Sequence, residues 1–167
     1  MMKKSKLQKL AESDTQKSSS GVITLLLKDH RAMRKLMATV KSPRSTNAKK
    51  VSSFKTLEKL VRSHVKAEEK ALLKRIDKHE VFEDEAVEGI EEHRIHNKVM
   101  SDIHLIQSPK RKLTRMKIFC EFLEHHLDEE EEDLFPKFRK YAALTTRKKM
   151  GTIFLEKRKN TTSTKER

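Results

Sequence analysis

Four segments of this 167-residue chain repeat apolar residues at three- and four-residue steps, the spacing of one face of an α-helix. Three of them span about 22–40, 48–76 and 83–106, and a fourth begins near residue 111 and meets Pro136, which is expected to kink or end it. With only three Gly and three Pro, the chain favours helix over sheet. Long helices joined by short loops predict an all-α, antiparallel up-down-up-down four-helix bundle.

The net charge of +14 is concentrated at the two ends of the chain. Residues 1–21 carry a net +3 and residues 139–167 a net +8, so the basicity says little about the bundle itself. We predict a disordered basic arm at 1–20, a bundle at 21–142 and a basic tail at 143–167, in which 143–158 could form a short helix. Clustered Lys and Arg without interleaved aromatic residues support only non-specific, salt-dependent contact with nucleic acid.

A single cysteine, Cys120, excludes a disulfide within the chain and a zinc site built on several cysteines. It also agrees with a reducing compartment. No apolar run approaches the roughly 18 residues that span a bilayer, and the basic start of the chain lacks the apolar stretch of a secretory signal. We therefore expect a cytoplasmic protein without a membrane span. The sequence carries no signal for its oligomeric state.

Two of the segments share the pattern His-x-x-x-Glu-Glu, at residues 64–69 and 126–131. A His and a Glu four residues apart lie on one helix face and can reach one metal ion or two adjacent ones. The first and third segments each add a histidine to their apolar face. Without partners, such buried side chains would each cost on the order of several kcal/mol, and a metal ion is a suitable partner. The six candidate ligands are His30, His64, Glu68, His93, His126 and Glu130.

Each candidate alone has a plainer interpretation. A lone buried histidine is more often hydrogen-bonded than metal-ligating, and one His-x-x-x-Glu pair is common on a solvated helix face. The acidic run 128–133 is also mainly a solvated face, with Glu130 inward and Glu131 as a further candidate. The joint pattern, one set per helix in register with an apolar face, favours a metal site. Several imidazoles with bridging carboxylates describe a two-metal site better than a structural zinc site. His96, close to the His93 stripe, and Asn97 are possible additional ligands.

On these residues the chain resembles the hemerythrin-like, HHE cation-binding domain family over about residues 22–138. The resemblance implies a four-helix bundle around a non-haem centre of two iron ions. It implies four terminal imidazoles, from His30, His64, His93 and His126, and two bridging carboxylates, from Glu68 and Glu130. The matching motifs are Asp29-His30, His64-x-x-x-Glu68-Glu69, Glu92-His93 and His126-x-x-x-Glu130-Glu131, followed by Leu134-Phe135-Pro136.

One position departs from the oxygen-carrying members of that family. They have a second histidine four residues after the one on the third helix, where this chain has Asn97. They also place the last carboxylate five residues after the final histidine, which here is Glu131. The pattern is more similar to iron–sulfur-cluster repair proteins and to iron-sensing domains of ubiquitin-ligase adaptors. Either His96 replaces the missing ligand, or an open position binds water, O2 or NO.

The sequence thus predicts a di-iron protein that binds or senses O2, NO or iron. One alternative is a di-iron oxidoreductase or a repair factor in nitrosative stress. Another is a non-specific nucleic-acid-binding protein that acts through its basic tails. Whether the protein is an enzyme stays open, because nothing in the sequence marks a substrate pocket.

Overall fold

The computed structural model describes residues 20–163, with side chains up to residue 159, and these residues form five long helices and no strand. The all-α fold predicted from the sequence is therefore confirmed for this part of the chain. The predicted disordered arm lies, apart from Ser20, outside the described residues. The helices are α1 (Val22–Lys41), α2 (Asn47–Glu68), α3 (Glu83–Leu105), α4 (Pro109–Glu129) and α5 (Leu144–Ser163).

Helices α2 and α4 each continue beyond a π-helical turn. The first turn, Glu69–Leu73, leads into the short segment Lys74–Ile76, and the second, Glu130–Leu134, leads into Phe135–Tyr141. Pro136 therefore does not end the helix. It lies in the first turn of the last segment, where an absent N–H is tolerated. Such π turns are frequent at functional sites, and both lie beside candidate ligands.

Two apolar clusters fill the interior, and a polar layer separates them. Along α1 the chain passes from one cluster, at Val22 and Leu26, through the polar layer at His30, to the other cluster at Met33 and Met37. In α2 the order is reversed, and it reverses again in α3 and in α4. This alternation supports the antiparallel up-down-up-down topology, which stays a prediction.

The fifth helix is longer than the 143–158 segment that the sequence indicates, and it takes much of the basic tail into the folded body. It lies against α1 and α2, and its residues Met150 and Phe154 join the first apolar cluster. Gly151 permits this close approach, because a Cβ there would overlap the carbonyl oxygen of Ser20. None of the helices in residues 20–163 is long and apolar enough to cross a lipid bilayer.

Candidate metal centre

The structure brings the six candidate ligands together in the polar layer between the two apolar clusters. They come from four helices, one histidine from each, and no residue among them is more than 5% exposed. The helix period accounts for this convergence, because residues three and four positions apart share one face. The buried ligand candidates are His30 on α1, His64 and Glu68 on α2, His93 on α3, and His126 and Glu130 on α4 and its π turn.

Two groups of three side chains within this layer could each hold a metal ion. His30 and His64 form one group with Glu130, and His93 and His126 form the other with the same Glu130. Within each group the ligand atoms lie within 4.8 Å of one another. The two oxygens of Glu130 face different groups, since Oε2 is 3.3 Å from His30 Nε2 and Oε1 is 3.5 Å from His126 Nε2.

Glu68 also reaches both groups. Its Oε2 lies 3.2 Å from Nε2 of His64 and 3.7 Å from Nε2 of His93. Two carboxylates therefore lie between the same two pairs of imidazoles. This is an arrangement in which each carboxylate can bridge a pair of adjacent cations.

A second set of carboxylates surrounds the four imidazoles on their outer side. Each carboxylate comes from a different helix than the histidine it contacts. A carboxylate from α1 contacts the histidine on α2, one from the π turn after α2 contacts the histidine on α3, one from α3 contacts the histidine on α4, and one from the π turn after α4 contacts the histidine on α1. A neutral ring whose Nδ1–H points at such a carboxylate presents the lone pair of Nε2 to the centre. The Nδ1–oxygen pairs are His64–Asp29 at 3.2 Å, His93–Glu69 at 3.5 Å, His126–Glu92 at 2.6 Å and His30–Glu131 at 2.9 Å.

Most of the inward atoms lack hydrogen-bond partners among the described residues: Nε2 of His30 and of His64 and both carboxylate oxygens of Glu68 and of Glu130. The exceptions are Nε2 of His93 and Nε2 of His126, which lie 3.1 Å apart, within hydrogen-bond distance of each other. Each buried polar atom without a partner costs about 1–3 kcal/mol. Imidazole nitrogens and carboxylate oxygens are ligands for iron and other transition metals, so this donor set fits a metal centre.

The protonation states of the centre follow from its crowded charges. Burial by itself lowers the pKa of His64, but the carboxylates of Glu68 and Asp29 outweigh it and raise the pKa to about 10. Burial also lowers the pKa of His126, but the carboxylates of Glu130 and Glu92 outweigh it and raise the pKa to about 9. Burial would raise the pKa of Glu130, yet the histidines around it hold that pKa well below its ordinary value. Two imidazoles are therefore cationic in the metal-free protein at neutral pH.

The three additional candidates from the sequence lie in different surroundings. His96 is fully buried beside the His126 ring, with neither ring nitrogen hydrogen-bonded, and burial lowers its pKa to about 3. Asn97 is only half-buried and accepts a hydrogen bond from Arg62 at 3.3 Å. Glu131 accepts from His30 as an outer partner. None of the three belongs to the two groups above.

Sequence reasoning treated Glu131 as a possible further ligand and quoted the other three outer carboxylates only within the family motifs. It assigned no role to Arg158. An acidic residue beside four of the six candidate ligands was the available signal, at positions 29, 69, 92 and 131. Arg158 on α5 had no such signal. Its Nη1 donates to both oxygens of Asp29, at 2.5 and 2.7 Å, and so connects the fifth helix to His64.

The family model for the hemerythrin HHE cation-binding domain matches residues 21–138. The match confirms the resemblance that the sequence motifs indicate. It covers α1 to α4 and ends before α5. The comparisons with curated proteins and with solved structures returned no match.

Proposed function

Because the chain belongs to the hemerythrin HHE cation-binding domain family, we propose that it holds two iron ions in its buried His/Glu layer. The observation that carries the proposal is the position of Glu130, whose two oxygens face two different pairs of histidines. A single ion would leave one pair without a partner. Glu68, which also reaches both pairs, supports the same stoichiometry.

The chemistry of the donor set favours iron over a structural zinc ion. The layer offers four imidazoles and two carboxylates and no thiolate. Cys120 lies in an apolar cluster instead, where burial raises the pKa of its thiol to about 12. A thiol in that state is a poor metal ligand, whereas imidazoles combined with bridging carboxylates suit a pair of iron ions.

We infer further that the protein binds or senses O2, NO or iron itself. Iron bound in this layer supplies the redox and ligand-binding chemistry for O2 and NO. The residues of the chain hold and orient the imidazoles through the outer carboxylates, and the apolar clusters above and below restrict water. Asn97 stands where the oxygen carriers have a histidine and is hydrogen-bonded to Arg62, which agrees with a role other than reversible oxygen carriage.

Metal analysis with optical spectroscopy tests this proposal. Protein produced with excess iron should contain about two irons per chain, and its spectrum should change on exposure of the ferrous form to O2 or to NO. His126→Ala should lose metal, whereas the matched variant His125→Ala should not, since His125 is exposed and lies 3.1 Å from Glu129 instead. Less than one iron per chain in the unmodified protein would contradict the proposal.

A second candidate, an oxidoreductase or nitrosative-stress repair factor at the same centre, is favoured by one observation. A cavity of about 90 Å³ reaches His126 and Glu130 from the surface, which is space for a small molecule. A larger groove, about 950 Å³ near the loop between α3 and α4, contains none of the candidate ligands. Turnover of peroxide or NO faster than that of free iron would distinguish this candidate from a binding or sensing role.

A further inference from the structure

The small cavity beside the metal centre is rimmed by acidic side chains. It opens to solvent and extends inward to the His93/His126 half of the centre. At about 30 Å³ per liquid water molecule, its 90 Å³ holds only a few waters. We call this cavity and its rim the acidic mouth; its lining residues are Glu85, Glu88, Gly89, Glu92, His126, Glu129, Glu130, Asp133 and Leu134.

The charge of the acidic mouth is opposite to that of the whole protein. Six of its nine lining residues are carboxylic, and none is Lys or Arg, in a chain whose net charge is +14. Four of the six have ionic partners: Glu85 pairs with Lys137, Glu129 with His125, Glu92 with His126, and Glu130 with His30 and His126. Glu88 and Asp133 are exposed and form no ion pair with any described residue, so their charge acts on the solvent.

A second observation lies at the inner end of the mouth. Glu130 lines the cavity there with only 5% of its surface exposed, and neither of its oxygens has a hydrogen-bond partner among the described residues. The opening therefore leads from exposed carboxylates, which attract a cation, to a buried carboxylate that is flanked by histidines but has no hydrogen bond to the described residues. At the His30/His64 half, by contrast, the rings of Phe135 and Phe154 lie against the imidazoles.

We propose that the acidic mouth is the route by which divalent cations reach the centre, with Glu88 and Asp133 as the first residues that attract them. The inference rests on the proposed function, since it requires a centre that takes up metal. Carboxylate oxygens along the mouth can replace water molecules around the ion as it moves inward. Fixed negative charge around a narrow opening raises the local cation concentration and the association rate.

The rate of metal uptake tests the inference separately from the amount bound. Metal-free protein is mixed with Co²⁺ in a stopped-flow instrument, and uptake is followed by absorbance; the final stoichiometry is measured by metal analysis. The variant Glu88→Gln/Asp133→Asn should load about 5- to 20-fold more slowly at low salt, because two carboxylates near a divalent ion contribute this much attraction. Its final metal content should equal that of the unmodified protein. The difference in rate should shrink as salt is added.

Asp102→Asn/Glu121→Gln is the matched control. It removes the same charge from α3 and α4, and Asp102 lies about 21 Å along α3 from Glu88 at 1.5 Å per residue. It should load at the unmodified rate. The charge reversal Glu88→Lys/Asp133→Lys should slow loading beyond the neutral variant. Equal rates for the mouth variants and the control would overturn the route while leaving the metal centre intact. A failure of the unmodified protein to take up Co²⁺ would instead overturn the proposed function, and the route with it.

Discussion

The two halves of the candidate centre contain the same kinds of candidate ligand but differ in what surrounds them. In the His30/His64 half, aromatic rings pack against the imidazoles: Phe135 lies 5.5 Å from the His30 ring and Phe154 lies 6.1 Å from the His64 ring. Phe154 belongs to α5, and the same helix supplies Arg158 to Asp29. This half is held by a helix that lies outside the residues matched by the family.

The His93/His126 half adjoins the acidic mouth and the uncharged ring of His96, 5.1 Å from the His126 ring. Glu92, the outer carboxylate that contacts His126 in this half, lines the mouth. The comparison shows that two halves with the same types of candidate ligand can differ in how easily ions and small molecules reach them from the solvent. We expect the closed half to hold its ion more firmly and the open half to exchange ions and bind small molecules. The experiments below test that distinction.

The largest expected effect comes from the side chain that both halves share. Glu130→Ala should lose most of both metal ions, because each half then keeps two imidazoles and loses its common carboxylate. His64→Ala and His126→Ala should each spare the opposite half and retain about one ion. Metal analysis after dialysis measures the outcome. Glu132→Ala, an exposed neighbour, is the control. Retention of one full equivalent by Glu130→Ala would show that the halves are independent.

The second prediction concerns a property that the two halves share, the protonation of one histidine in each. In the metal-free protein the pKa is raised to about 10 for His64 and about 9 for His126, so both are protonated at pH 7. A metal binds only the neutral imidazole, so loading should release about two protons per chain, and the affinity of each half should rise about tenfold per pH unit between pH 7 and 9. Calorimetry in buffers of different ionisation enthalpy counts the protons.

The same two groups give the metal-free protein the opposite pH dependence. Because their pKa values lie above the ordinary 6.5, the stability they contribute is fully present below about pH 6.5 and is lost as the pH rises through 9 to 10. Thermal unfolding of the metal-free protein should therefore shift to lower temperature over this range. Loading that releases no protons would contradict both expectations.

The helix period was sufficient to predict the ligands that the structure brings together. His64 and Glu68 share a face by their spacing, and His30 and His93 fall in register with apolar residues, so local pattern places all of them inward. The helix limits follow from equally local features, such as Ser108 and Pro109 at the start of α4, where Ser108 Oγ accepts from the Arg111 N–H. Whether those side chains ligate metal stays a prediction.

The outer carboxylates lie next to candidate ligands in the sequence, but their contacts could not be predicted, because these contacts join distant parts of the chain. His30 and Glu131 are 101 positions apart, and Asp29 and Arg158 are 129 apart. The docking of α5 was equally hidden, since only a few of its residues, among them Met150 and Phe154, are buried. The π turns after Glu68 and from Glu130 follow from tertiary packing and have no local signal in the sequence.

The third prediction separates the halves through α5. Arg158→Gln removes the cation that holds Asp29 against His64, and loss of such an outer contact costs about 10- to 100-fold in metal affinity. We expect the lower end of that range in the His30/His64 half, with little change in the other half. Glu92→Gln should do the reverse, because it weakens the contact to His126. Competition with a chelator measures both sites. Lys149→Gln on the exposed side of α5 is the control, and equal weakening of both halves by Arg158→Gln would contradict the prediction.

The smallest effect is expected at His96, and it decides whether the open half has a third imidazole. The ring lies among Phe119, Phe122 and His126, and its low pKa of about 3 keeps it neutral. If His96 makes no metal contact, the His96→Phe variant should keep two metal ions. Its free energy of unfolding should change by no more than about 1 kcal/mol, because an apolar ring replaces a buried polar ring that has no hydrogen bonds to described residues. Metal analysis and urea unfolding of the two proteins measure this. Loss of one ion would assign His96 to the ligand set of the open half, which would then have three imidazoles against two in the closed half.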